Sequence, residues 1–265
     1  VNMTDHLKLT GLQTSKYYVI KVVVYDAVGL FSCKRVIIKT NAYGVFITFP
    51  GDEAMINVTY LRLIWSYGGS PDNFTIRVNG SLYAFLLAPA DNVNITGLYE
   101  GAWTITITAK YKTGTYTDSV MVYVDLTQPT VTITYPLNGD FLNTSDVTLT
   151  WNMDDQLTGI DYCEIIVDGS VYNVGALTEY TIYGLREGLH TVTVKVFDRA
   201  GNSDSDMITF TIDLTPPTIV IISPENNTEI NTNTITISWD ITDNYGIAYI
   251  KYRVDQGVWN NVGIV

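Results

Sequence analysis

The chain repeats itself, and that constrains it more than any other feature. VDLTQPTVTITYPLNGDFLNTSDVTLTW, from Val124, returns from Ile212 as IDLTPPTIVIISPENNTEINTNTITISW, 88 residues later at both the Asp-Leu-Thr and the tryptophan. An earlier copy carries ITFP ending at Pro50, LRLIW ending at Trp65 and FTIRVNG ending at Gly80, and its tryptophan precedes Trp151 by 86 residues. The second half of the unit also occurs three times, with Gly-Leu pairs at Gly11, Gly97 and Gly184. The chain therefore parses into the back half of one repeat (1–42), two whole repeats (43–126 and 127–214) and the front half of another (215–265). A unit that recurs with its landmarks intact buries its own small core each time, so the 265 residues are several domains of about 87 residues rather than one.

Within each unit the apolar residues alternate with polar ones. Thr104–Thr108 (TITIT) and Thr191–Val196 (TVTVKV) have a period of two, which puts one face on a core and the other in water. Short β-branched runs are separated by Asn, Asp, Gly and Pro turns such as Asn138-Gly139-Asp140 and Asp168-Gly169. The fold class expected is all-β: tandem antiparallel β-sandwiches of about seven strands each. The junctions Thr127-Gln128-Pro129 and Thr215-Pro216-Pro217 leave almost no free linker, and proline stiffens what there is.

Charge and motifs exclude several function classes. The net charge is −12, with 27 acidic against 15 basic residues and no basic cluster, so nucleic acid is not an expected partner. No run of about 18 apolar residues is present, so no membrane span is expected within this region. The chain opens on Val1 and stops at Val265 in mid-pattern, and we read it as a region of a longer protein. Cys33 and Cys163 fall in different repeats and are read as unpaired, buried small hydrophobes. His-Glu-x-x-His, Gly-x-Ser-x-Gly, phosphate-loop and Cys-x-x-Cys motifs are all missing, and His6 and His190 lie far from either cysteine, so no catalytic residues are assigned and the region is read as no enzyme.

The succession Asp-x-Thr-x-Pro, apolar strand, Pro, Trp, acidic turn with Gly-Ile, Val-Asp-Gly, Gly-Leu, alternating strand and Asp-x-Ala-Gly-Asn resembles the immunoglobulin-like and fibronectin type III-like repeats of bacterial and archaeal cell-surface proteins, of S-layer or adhesin type. The resemblance covers the whole chain. It implies that Trp65, Trp151 and Trp239 are the strand tryptophans that pack between the two sheets. It also implies a corner tyrosine after the Gly-Leu pair, a position held by Tyr18, Trp103 and His190, of which only Tyr18 keeps the tyrosine; His190 is then structural.

Two sets of side chains are candidate sites. Asp125 and Asp213 end the last strands of their repeats, Asp155 and Asp243 occupy matching turns after the tryptophan, and Asp198 and Asn202 share the turn before the last strand. These six could ligate calcium, the one cofactor the pattern accommodates, or could stand there as turn formers; both readings stay open. The middle copy has Tyr111 where its neighbours have Asp26 and Asp198, so it is expected to share less in any acidic site. Asn-x-Ser/Thr acceptors for glycosylation occur at Asn2, Asn57, Asn73, Asn79, Asn94, Asn143 and Asn226, an excess that favours an extracellular, cell-surface location.

The function expected is that of an extracellular structural array: a surface-layer, filament or adhesin-stalk unit. Its partners are then further copies of itself, neighbouring surface proteins in a lattice or fibre, and glycans. Two alternatives accompany it. One is an accessory or carbohydrate-binding module array of a secreted enzyme, with Tyr99, Tyr116, Tyr123 and Trp259 as candidate sugar platforms. The other is a fibre subunit whose half-repeats complement each other head to tail.

Overall fold

The computed structural model describes residues 17–25, 31–39 and 43–263. These divide into two compact units: one holds the described residues of Val1–Pro129 with the turns Asp154–Asp161 and Phe197–Asp204, the other Thr130–Met153, Tyr162–Val196 and Ser205–Val265.

The first unit opens with an antiparallel pair, β1 (Tyr17–Tyr25) and β2 (Phe31–Lys39), with Tyr18 opposite Ile38 and Ile20 opposite Val36. Eight strands follow: β3 (Gly44–Phe49), β4 (Ala54–Ile56), β5 (Tyr60–Gly68), β6 (Asn73–Val78), β7 (Ser81–Leu87), β8 (Asn92–Thr96), β9 (Gly101–Tyr111) and β10 (Gly114–Val124). They form two sheets, β3-β5-β8 and β4-β10-β9-β6-β7, in which the short β4 runs parallel to β10. Alternation decides which side chains lie between the sheets: Leu61, Leu63 and Trp65 from β5 meet Phe74, Ile76 and Val78 from β6 and Ile105 and Ile107 from β9, all buried. Trp65 packs on Phe74 with ring centroids 5.4 Å apart.

Residues 130–212 reproduce this layout with β11 (Thr130–Tyr135), β12 (Phe141–Leu142), β13 (Val147–Asp154), β14 (Ile160–Val167), β15 (Ser170–Gly175), β16 (Glu179–Ile182), β17 (Gly188–Asp198) and β18 (Ser203–Ile212). Their sheets are β11-β13-β16 and β12-β18-β17-β14-β15, the same order of equivalents. Trp151 is buried, and Cys163 occupies the place of Phe74 in the core. Burial pushes the Cys163 thiol up to about 11, so it behaves as the small hydrophobe expected of it, whereas Cys33 on β2 is exposed, contrary to expectation. Neither face of the β1–β2 pair carries a buried side chain among the described residues, so Cys33 has no core to enter.

Residues 218–262 contribute two pairs, β19 (Thr218–Ser223) with β20 (Ser238–Thr242) and β21 (Ile250–Tyr252) with β22 (Asn260–Val262). Here Ile219, Ile221, Ile235 and Ile237 are exposed and Trp239 is only half-buried, although the matching side chains of both whole repeats are buried.

Side chains as well as strands recur. An aspartate from the last strand accepts a first-strand backbone N–H in both whole repeats, Asp118 from Ile47 and Asp206 from Ile133, each at 2.8 Å. Asn79 accepts the Thr104 N–H at 2.8 Å, and Asp168 accepts that of Thr191 at 2.9 Å. Glu100 takes the Thr127 hydroxyl and Glu187 that of Thr215, both at 2.6 Å. Each bond satisfies a group that the sheet ladder leaves unpaired. The Gly-Leu pairs serve the same end: Gly97 and Gly184 have φ of +76° and +68°, and the turn they permit lets Leu98 and Leu185 donate to Thr59 and Ser145.

The corner position is structural in both whole repeats, as read for His190. The structure shows that tyrosine is not required there, because Trp103 Nε1 donates to the Tyr99 carbonyl at 2.8 Å and His190 Nε2 to that of Arg186 at 2.7 Å, four residues upstream in each case. Indole and imidazole do what a phenol hydroxyl would do. His190 Nδ1 meets Asp168 Oδ2 at 2.6 Å, so both ring nitrogens are engaged and neither is free to act as a base. His6 lies outside the described residues.

Candidate functional site

Four of the six acidic and amide positions singled out in the sequence converge within one compact unit, three aspartates and Asn202. Asp125, directly after β10, Asp155, in the turn after β13, and Asp198, the last residue of β17, each bring a carboxylate oxygen to within 4.8 Å of the others. Asp125 and Asp198 are buried, at 0% and 2% exposure, and Asp155 is half-buried.

The local chain explains each placement. Asp125 continues the ladder by donating its N–H to Ile56, which turns its side chain inward; its carboxylate accepts the Thr127 N–H at 3.1 Å and the buried Thr158 hydroxyl at 2.6 Å. Asp155 collects the N–H groups of Thr158 at 2.9 Å and Gly159 at 2.6 Å in a turn closed on its own side chain. Asp198 collects the N–H groups of Gly201 and Asn202, at 2.7 and 2.8 Å. Asn202 lies between two of the acids, its amide nitrogen 2.7 Å from Asp198 Oδ2 and 3.0 Å from the Asp125 carbonyl. Arg199 N–H donates to the Gly159 carbonyl at 3.1 Å, so the two turns are also joined through backbone.

Electrostatics sets what the cluster can do. Two carboxylates about 5 Å apart repel by roughly 3 kcal/mol at an effective dielectric constant of 20, and among the described residues no Lys, Arg or His side chain pairs with any of the three. The amide and hydroxyl donors offset part of this. A divalent cation would offset more, and the donor set suits one: carboxylate oxygens with an amide nearby are hard ligands of the kind calcium takes, six to eight at about 2.3–2.6 Å.

The other predicted ligands stand apart. Asp213 accepts the Thr215 N–H at 3.2 Å, Asp243 accepts those of Tyr245 and Gly246 at 2.8 and 2.9 Å, and neither joins a group of three acids among the described residues. They act as turn formers. Thr158, which links Asp125 to the Asp155 turn, escaped the sequence reading; the matching turn in residues 243–246 is one residue shorter and offers no threonine. In the middle repeat Tyr111 replaces the acid: its hydroxyl lies 3.0 Å from the Gly44 carbonyl and 2.6 Å from that of Gly68, and Tyr43 and Tyr116 flank it edge-on at 5.2 and 5.5 Å. Hydrophobic packing there does the fastening that carboxylates do in the next repeat.

Of the candidate glycosylation sites, Asn57, Asn94, Asn143 and Asn226 are exposed, Asn73 is half-buried on β6, and Asn2 lies outside the described residues. Asn79 is exposed too, but its side chain is committed to Thr104 and its φ of +47° matches that of Asp168, so the fold accounts for it without a glycan.

Comparison with known proteins finds several likenesses. Residues 129–194 and 217–264 match the bacterial Ig domain family. A stretch of 98 residues, 36% of the chain, is 35% identical to halomucin of Haloquadratum walsbyi, of which the chain spans about 1%. Fibronectin(III)-like modules of CbhA from Clostridium thermocellum superpose with a TM-score of 0.46 at 20% identity, covering 63% of this chain and 93% of theirs. A structure of a 1.5-MDa bacterial ice-binding adhesin matches 76% of each chain with a TM-score of 0.29 at 18% identity. The chain repeats a β-sandwich unit and is similar to the bacterial Ig domain family over residues 129–194 and 217–264.

Proposed function

We propose that this chain is a non-catalytic, load-bearing stretch of an extracellular surface array. The observation that carries the reading is the carboxylate cluster: a residue that closes one repeat, Asp125, is fastened by direct hydrogen bonds to two turns of the next, through Thr158 and Asn202. Nothing about that arrangement serves turnover. It buries two acids and spends their lone pairs on neighbouring backbone. The recurrence of the same ties in both whole repeats, the bacterial Ig domain match and the likeness to part of halomucin support a structural repeat of a surface protein. Single-molecule extension tests it. Each whole repeat of about 80 residues should unfold as one event that lengthens the chain by roughly 28 nm, at about 3.5 Å per residue. Gradual extension with no discrete events would contradict a load-bearing role.

Calcium is a second reading, favoured by three carboxylate oxygens lying within 4.8 Å of one another without a protein cation. Binding to the folded state at 100 times the dissociation constant would add about 2.7 kcal/mol. The melting temperature should then rise with calcium and fall with chelator, and the double substitution Asp125→Asn with Asp198→Asn should abolish the response. A melting curve indifferent to calcium leaves the cluster as a hydrogen-bonded fastening alone.

A further inference from the structure

Both whole repeats present the same sheet edge. β7 and β15 are the terminal strands of their five-stranded sheets, and β22 pairs with β21 alone among the described strands. The second and third residues of β7 and β15 are an apolar-aromatic pair, Leu82-Tyr83 and Val171-Tyr172, and a third such pair, Val258-Trp259, directly precedes β22; the three are spaced 89 and 87 residues apart. The aliphatic member is 63%, 59% and 77% exposed in turn. No charged residue occurs in any of the three strands, in a chain with 27 acidic and 15 basic side chains.

β7 shows the feature most fully. Ala84 and Leu86 point inward and pack on the core, so the core does not need the others. Tyr83 clips the edge to the opposite sheet: its hydroxyl accepts the Thr96 N–H at 2.9 Å and donates to the Asn94 carbonyl at 3.0 Å. That leaves Leu82, Phe85 and Leu87 in water. Across the ladder, Phe85 and Leu87 stand opposite Thr75 and Asn73, and the next row carries Thr108 and Lys110, so the outward face is polar until its last strand. Edge strands are ordinarily blunted by lysine, proline or brevity. This one has seven residues, no charge and no proline.

We propose that this edge is a lateral pairing surface, and that its occupant is a second copy of the chain, β7 adding antiparallel to β7 about a twofold axis. Two arguments select a copy over another partner. Two chains of net charge −12 repel over most of their surface, and a strand without charge is where they can meet with no like charges opposed. The edge also recurs at the repeat period, which suits a partner of the same period and gives an isologous contact. The proposal rests on the fold and stands whether or not calcium binds.

Sedimentation velocity of the full chain from 1 to 200 µM in about 0.15 M salt reads it, with amide hydrogen exchange locating the contact. The expected result is reversible dimerisation, concentration-dependent protection of β7 amides, and at least tenfold weaker association in Leu82→Lys with Phe85→Lys. The melting temperature should be unchanged, since both positions are exposed. Thr115→Lys, an exposed position on β10, is the control for added positive charge. A wild-type chain monomeric throughout would overturn the proposal. So would association that survives the double substitution, as it would if the exposed isoleucines of β19 were responsible, and so would equal weakening by Thr115→Lys.

Discussion

Replacing Trp65 by phenylalanine should be nearly harmless, whereas replacing it by alanine should be among the most damaging substitutions in the chain. The side chain is buried at 2% exposure against Phe74, and its Nε1 meets no acceptor among the described residues. An indole hides about 150–250 Å², which at about 25 cal/mol per Å² is roughly 4–6 kcal/mol of transfer free energy, and truncations of this size cost about 3–5 kcal/mol. Phenylalanine gives up only part of that area. It also removes a buried N–H whose missing partner costs about 1–3 kcal/mol, so the two changes offset each other to within about 1 kcal/mol. Calorimetry of the full chain reads the difference: about 1 kcal/mol shifts the transition of a domain this size by roughly 4–8 °C, so Trp65→Ala should lower it by at least about 12 °C and Trp65→Phe by no more than about 8 °C. Trp239→Ala, at the half-buried equivalent, should cost about half as much as Trp65→Ala. If Trp65→Phe proved as damaging as Trp65→Ala, the indole N–H would have to be hydrogen-bonded and the reasoning would fail.

Other expectations follow from single contacts. Asp168 loses some solvation by burial, but the Thr191 N–H and the hydrogen bond and charge of His190 more than offset this and hold its carboxyl below the usual 3.8. A depressed carboxyl stabilises the fold above its unfolded pKa and loses that contribution as pH falls through the folded value, so the melting temperature should drop below about pH 4. In Asp168→Asn, which installs the residue the middle repeat has at Asn79, that part of the drop should vanish; an unchanged acid limb would refute it. Thiol labelling at pH 8 should modify Cys33 and spare Cys163 until unfolding, and two fast-reacting thiols would contradict the burial described. Asp206→Ala should cost about 1–3 kcal/mol by leaving the Ile133 N–H without its partner, and Asp206→Asn less, because an amide oxygen can still accept; equal losses would show that charge rather than acceptance matters.

The repeat made most of the fold legible. Trp65 and Trp151 share a landmark 86 residues apart, period-two alternation marks the faces of β9 and β17, and Gly-Leu marks a turn that only a left-handed glycine allows. What alternation cannot show is which turns meet. Asp125, Asp155 and Asp198 converge while Asp213 and Asp243 do not, a difference written in the bridging of Thr158 and Asn202 rather than in the acids themselves. The corner bond itself was not legible for a related reason. The position asks for a donor that reaches a carbonyl four residues back, and Trp103 and His190 satisfy it as well as a tyrosine. The exposed edge at Leu82 and Phe85 likewise reads as an ordinary strand until the sheet order shows no described strand beyond it.

Brief proteolysis of intact cells that make the protein, with identification of the released peptides, tests the central claim most directly. A structural surface array predicts that peptides from residues 44–212 appear among the first products while the cells remain whole. Release of those peptides only after lysis would place the repeats inside the cell and contradict the account.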